Sequence, residues 1–199
     1  MAKLKLTKNE QKKQKDSLKR FQRYLPTLML KKQQLQAEIR TIEVRVNELR
    51  RLKEKAVADI NKWVAVFSED GVFTPEILSI TSMITGEGNI AGVAIPIFEG
   101  AEFETAPYDL IEKPLWLDIA IDTMKKNLLL DLQLQCMEEQ QRRLRKELQT
   151  TSQRVNLFEK IKIPEAKTNI KKIAVYLGDQ QTAAVVRGKI SKRGMEVKN

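Results

Sequence analysis

One spacing constrains this chain more than any other feature. Apolar residues fall at Leu18, Phe21, Leu25 and Leu28, then at Leu35, Ile39, Ile42, Val46 and Leu49. The steps alternate between three and four, with one slot occupied by Lys32. That is the a/d pattern of a heptad repeat, and an apolar stripe of this length is stable only against a partner helix. At ~1.5 Å of rise per residue, about fifty helical residues make a rod of roughly 75 Å, longer than a small domain is wide. Beyond Leu49 the pattern continues through Leu52, Ala56, Ile60, Trp63 and Phe67. Its two consecutive steps of four form a stutter, which locally unwinds a left-handed supercoil.

The spacing predicts a first helix over 8–68. Thr7 fits its N-cap, with Glu10 three residues on to complete a capping box. Pro26 interrupts the interior, where a proline costs roughly 3 kcal/mol, so a bend is expected near 22–26. The periodicity crosses it, so one helix is retained. From 112 onward the pattern returns and predicts a second helix over 112–192. Its seam runs Leu130, Leu134, Met137, Gln141, Leu144, Leu148, Thr151, Val155 and Phe158. Pro164 predicts a kink near 160–163, after which Ile170, Ile173 and Leu177 resume the apolar face.

Folding the second helix back on the first gives an antiparallel register in which paired residue numbers sum to about 179. Trp63 then meets Trp116, Leu49 meets Leu130, Ile42 meets Met137 and Leu35 meets Leu144. Leu28 meets Thr151, Phe21 meets Phe158, and Leu18 meets Ile161. One register therefore serves nearly the whole seam. It leaves the residues beyond about 178 without a partner from this chain, although Ala183, Ala184, Val185, Val186 and Ile190 give them an apolar stripe.

The connection, 69–111, has a different character. Thr74-Pro75-Glu76 reads as the start of a short helix with proline at its first position. The run 89–98 is strand-like, Glu99-Gly100 reads as a turn, and 101–105 alternates as a second strand, which predicts a β-hairpin at about 89–105. A lone hairpin is marginal in water and needs a surface to pack on. The fold class expected is therefore mainly α: one elongated domain over 1–199, a long antiparallel two-helix coiled-coil hairpin carrying a small β-hairpin in its central connection.

Charge divides the chain by region. The net charge is +10, yet residues 63–112 hold nine acidic residues and no Lys or Arg, while both flanks are basic. Such a balance suits nucleic acid, an anionic membrane or an acidic protein surface. The densest basic run, Lys12, Lys13, Lys15, Lys19, Arg20 and Arg23, reads first as a solvated helix face, because no nucleic-acid reader module accompanies it. No stretch approaches the ~20 apolar residues of a membrane span, and the lysine-rich start lacks the apolar core of a signal peptide.

Catalytic chemistry finds no residues here. The sequence has no histidine, which removes histidine triads and histidine-ligated metals, and its single cysteine, Cys136, excludes thiolate clusters and intrachain disulfides. Cys136 sits in a helical pattern and reads as a small helix-face residue. Gly86-Glu87-Gly88 lacks the Lys-Ser/Thr of a phosphate loop and reads as turn glycine. Glu138, Glu139, Arg142 and Arg143 read as i,i+4 surface pairs. Neither a cofactor nor a metal site is expected.

Particular words of the sequence carry a resemblance. The run TSQRVNLFE at 151–159, followed by KIP at 162–164, is similar to the signature of the D subunit of V-type and A-type ATPases. There the pattern runs Arg-Arg-Val-Asn-Ala-Leu-Glu and then Ile-Pro. Arg154, Val155, Asn156, Glu159, Ile163 and Pro164 match; Gln153 and Leu157 stand where Arg and Ala are usual. NIAGVAIP at 89–96 resembles the central hairpin of that family. The tail departs most, with Gln180 to Val186 in place of acidic and aromatic residues.

The resemblance implies a non-catalytic rotor shaft. It would stand in the bore of a hexamer of catalytic and regulatory ATPase subunits, bind the small F subunit at its side, and seat in the funnel-shaped stalk subunit above the membrane ring. It would be cytoplasmic and peripheral to the membrane, with no span of its own and no nucleic acid. Lys12, Lys13, Arg187 and Lys192 would face the bore. Two other readings stay open on the residues alone: a prefoldin-like coiled-coil chaperone, and a basic coiled-coil scaffold or nucleic-acid-binding protein.

Overall fold

A computed structural model describes residues 4–62, 77–108, 113–114 and 116–196, with side chains as far as 193. In chain order the elements are α1 (Lys8–Asn61), β1 (Leu78–Ile90), β2 (Val93–Thr105), α2 (Trp116–Asn156), a π-helical segment (Leu157–Lys162) and α3 (Ile163–Glu196). The protein is mainly helical, with one two-stranded antiparallel hairpin. Trp63, Phe67 and the short helix expected at Thr74-Pro75-Glu76 lie outside the described residues.

The chain divides into two compact units, one of residues 33–149 and one of residues 1–32 with 150–199. Within the first, α1 and α2 share a core of Leu35, Ile39, Ile42, Val46 and Leu144, against which Leu134, Met137 and Leu148 pack. Leu35 and Leu144 are both fully buried. Their direction is fixed by two ion pairs, Glu43–Arg145 and Arg50–Glu138, each at 2.7 Å. Advancing one heptad along α1 moves the partner back one heptad along α2, as an antiparallel pair requires. These pairs are half-exposed, so each contributes only ~0.2–1 kcal/mol, and their larger effect is to specify register. Lys53 pairs with Asp131 at 2.5 Å on the same helices.

The hairpin packs onto this helix pair. Ile95 is buried in the same core, with Ile90, Ala91 and Val93 against it. A second cluster joins Ile77, Leu117 and Ile121, flanked by Leu78, Tyr108 and Trp116. The turn is not where the sequence places it. Val93 pairs with Ile90, so the connection is Ala91-Gly92, with φ of 51° and 78°. Two positive φ values in a two-residue loop give a type I′ turn, whose twist matches that of the flanking strands. The Asn89 side chain accepts a hydrogen bond from the Gly92 N–H at 2.9 Å and supports it. Glu99-Gly100, expected as the turn, lies inside β2 at a register shift, where Gly100 faces Ile84 and the next pair is Thr85 with Phe98. The hairpin therefore spans 78–105, not 89–105.

In the other unit, Thr7 caps α1 as expected, with the Glu10 N–H donating to Thr7 Oγ1 and the Gln11 N–H to the Thr7 carbonyl, while the Glu10 side chain does not close the expected capping box. The Glu10 carboxylate accepts from the Gln14 side chain. Pro26 lies within α1, which continues through it. Phe21 and Phe158 stack with ring centroids 5.1 Å apart. Thr151, Val155, Ala166 and Ile173 are buried. Pro164 has no N–H, and its ring crowds the carbonyl four residues back. Immediately before it the helix widens, and the Ile163 N–H donates to the Phe158 carbonyl, five residues back. The expected kink is thus a π segment, which inserts one residue and resets the phase of the apolar face.

Candidate functional site: a helix pair, its hairpin and its exposed charges

The residues singled out in the sequence fall into three groups. Seam residues sit inside. Leu35, Ile42, Met137 and Leu144 share one cluster, and Phe21 meets Phe158. Leu18, Leu28, Leu49 and Leu130 are half-buried, Thr151 is buried, and Trp116 packs beside Leu117. The motif residues divide. Val155 is buried and Ile163 half-buried, while Arg154, Asn156, Glu159 and Pro164 are exposed. Lys12 and Lys13 lie exposed in the first turns of α1, and Arg187 and Lys192 lie exposed late in α3.

The end of α3 is exposed throughout its described side chains from Gly178 onward. Val185 is 59% exposed and Ile190 65%. This apolar stripe has no partner among the described residues.

The hairpin is held through one stripe of α2. Gln140 Nε2 donates to the Pro96 carbonyl at 2.6 Å, Cys136 Sγ donates to the same carbonyl at 3.5 Å, and Arg143 Nη1 donates to the Ala94 carbonyl at 3.3 Å. Residues at i, i+4 and i+7 share one helix face, so a single face satisfies the edge of β2. Burial pushes the Cys136 thiol above its usual pKa, so it serves as packing and a weak donor. Gln140, a buried amide with a specific backbone partner, is the one that sequence periodicity passed over in favour of Gln141.

Glu139 accepts from both Arg142 and Arg143, and these guanidinium groups lower its pKa to about 2. Glu138, read in the sequence as part of the same intrahelical set, instead reaches Arg50 on α1. The Tyr108 hydroxyl donates to Asp118, which raises the tyrosine pKa. Among the described residues no cluster of His, Cys, Asp or Glu has the make-up of a metal site, and no helix is long and apolar enough to cross a membrane.

A helix pair in fixed antiparallel register with a hairpin docked on its flank, and a charged, exposed helical end, define a coiled-coil class of protein. Comparison with known proteins gives that class a family. The model of the ATP synthase D subunit family matches residues 10–193, and the chain belongs to that family. It is 51% identical to the V-type ATP synthase D subunit of Borreliella burgdorferi, over 100% of this chain and 98% of the relative. It is also 36% identical to the protein of the same name from Chlamydia pneumoniae, over 98% of this chain and 94% of the relative. The Chlamydia muridarum protein of that name is 34% identical over 97% of this chain and 96% of its own length.

Proposed function

We propose that this chain is the central-stalk rotor shaft of a V-type rotary ATPase, a non-catalytic part that carries torque between the catalytic hexamer and the ion-translocating ring of the membrane. The observation that supports this best is the fixed register of α1 and α2. Twisting one helix against the other must break the shared core and the paired heptads of Glu43–Arg145 and Arg50–Glu138 together. Two interlocked helices resist torsion better than one. Their cross-section has no three-fold symmetry, so such a shaft presents a different face to each of three catalytic sites.

In this reading the exposed tail of α3 enters the bore of the hexamer. Lys12, Lys13, Arg187 and Lys192 supply long-range attraction to acidic groups there without sticky apolar contact. Nucleotide chemistry belongs to the catalytic and regulatory subunits. The small F subunit binds the side of the shaft, the funnel-shaped stalk subunit receives its base, and the whole works at the cytoplasmic face of the membrane. Affinity purification of the tagged full chain from native membranes tests the assignment. Recovery of the catalytic and regulatory ATPase subunits supports it; recovery of the chain with neither removes it.

A further inference from the structure

The two edges of the hairpin are finished differently. The outer edge of β2 is closed by α2, through the bonds from Gln140 and Cys136 to the Pro96 carbonyl and from Arg143 to the Ala94 carbonyl. Pro96 also has no N–H to offer. Among the described residues the sheet has two strands, so β1 has one neighbour there. In an antiparallel ladder, pairs that exchange hydrogen bonds alternate with pairs whose backbone groups point outward. Ala94 and Pro96 point outward, toward α2. Their partners Asn89 and Glu87 therefore turn their N–H and C=O groups to the opposite side, and Thr85, paired with Phe98, continues the set.

These three residues are exposed, and their outward backbone groups have no partner among the described residues. Of the devices that normally blunt a free edge, the stretch from Thr85 to Asn89 carries one charged side chain, that of Glu87. There is no Pro or Lys, and the register shifts lie before Thr85, at Ile80/Ser82 and Ile84/Thr85. Gly86 and Gly88 separate the three outward residues and leave room for the β2 side chains Glu99 and Ile97, which lie against them.

Charge selects what can pair there. The hairpin carries Glu87, Glu99, Glu102 and Glu104 and no Lys or Arg. A second copy of this hairpin would set glutamate against glutamate. Ile84, next to the edge, is 43% exposed and offers apolar contact. We propose that the Thr85–Asn89 edge of β1 accepts an extended basic strand from another protein, adding a third strand to the sheet, with lysine or arginine side chains set against Glu87.

Amide exchange on the full chain tests this, with a synthetic peptide of alternating Lys and Ile as the probe and the same peptide with Glu for Lys as its control. The proposal predicts that the lysine peptide slows exchange at the Thr85, Glu87 and Asn89 amides by about tenfold, and that added salt reverses the effect. The glutamate peptide leaves them unchanged. The variant Glu87→Pro removes one outward N–H at a position that bonds nothing in β2, and Pro96 already occupies the facing position. It keeps the exchange protection of Gly86 and Gly88 and abolishes the effect of the peptide. Unchanged exchange at the three amides with millimolar lysine peptide overturns the proposal. So does equal protection by the glutamate peptide, or full protection surviving in Glu87→Pro.

Discussion

Phe21 and Phe158 stand 137 positions apart in the sequence, yet their rings meet with centroids 5.1 Å apart and planes inclined at 43°. Phe158 lies in the π segment, whose wider turn sets where this ring points. An aromatic pair in tilted geometry contributes about 0.5–1.5 kcal/mol beyond the area it buries. Both rings are half-buried, so Phe21→Ala and Phe158→Ala should each cost about 1–3 kcal/mol, less than a fully buried phenylalanine. Urea unfolding of the two single variants and the double variant checks it. The coupling energy should be about 1 kcal/mol, with the two costs less than additive.

Gln140 anchors the hairpin. Gln140→Leu keeps the bulk of the side chain and removes the donor to the Pro96 carbonyl, leaving that acceptor with only the weak Cys136 thiol. The expected cost is about 1–3 kcal/mol, the penalty for stranding a buried polar group. Amide exchange should locate the loss, with faster opening of β1 and β2 and little change in α1.

The low pKa of Glu139 has a definite pH signature. Its folded pKa is about 2, against an ordinary value of 4.5. A carboxylate with a depressed folded pKa adds stability that is fully present above its unfolded pKa and is lost as pH falls through the folded value. The melting temperature should therefore fall between about pH 4.5 and pH 2. Glu139→Gln should lower it slightly at pH 7 and flatten part of that fall. Exposure of the pair keeps the effect small. Melting curves across that range, with and without the substitution, measure it.

Charge reversal at Lys12, Lys13, Arg187 and Lys192 should weaken assembly of the chain with the hexamer, and the loss should shrink as salt rises toward 1 M. Each of these side chains is exposed, so the isolated variant should melt as the parent does. Binding measured over a salt series separates the two effects. Equal affinity of parent and variant at every salt concentration contradicts an electrostatic role.

Much of the helical architecture is legible in the sequence, because a heptad stripe states its own period. Leu35, Ile42, Met137 and Leu144 are readable as one seam, and they share one cluster. The turn of the hairpin is harder to place. The largely apolar run from Asn89 to Phe98 reads as one strand, while the true turn uses Ala91, an unlikely residue at positive φ, and is held by the Asn89 side chain. Glu99-Gly100 looks like a turn and is instead a register shift within β2. Local sequence does not distinguish the two, because the deciding contacts are those of Ile95 and Pro96 with distant helices. The prolines make the same point. Pro26 sits within an unbroken α1, while Pro164 follows a π segment, and a missing N–H alone does not select between the outcomes. Glu138 has Arg142 one turn away on its own helix and still pairs with Arg50, a choice that depends on the packed helices.

A shaft must turn, and its rotation can be watched directly. Glu104 is exposed on β2 and the one native cysteine, Cys136, is buried, so Glu104→Cys accepts a maleimide-linked bead selectively. With the hexamer fixed to a surface and the full chain assembled in it, addition of ATP should drive the bead continuously in one direction, and its rate should follow that of hydrolysis. Steady ATP hydrolysis by the same complexes with a bead that shows only undirected motion would contradict a rotor shaft.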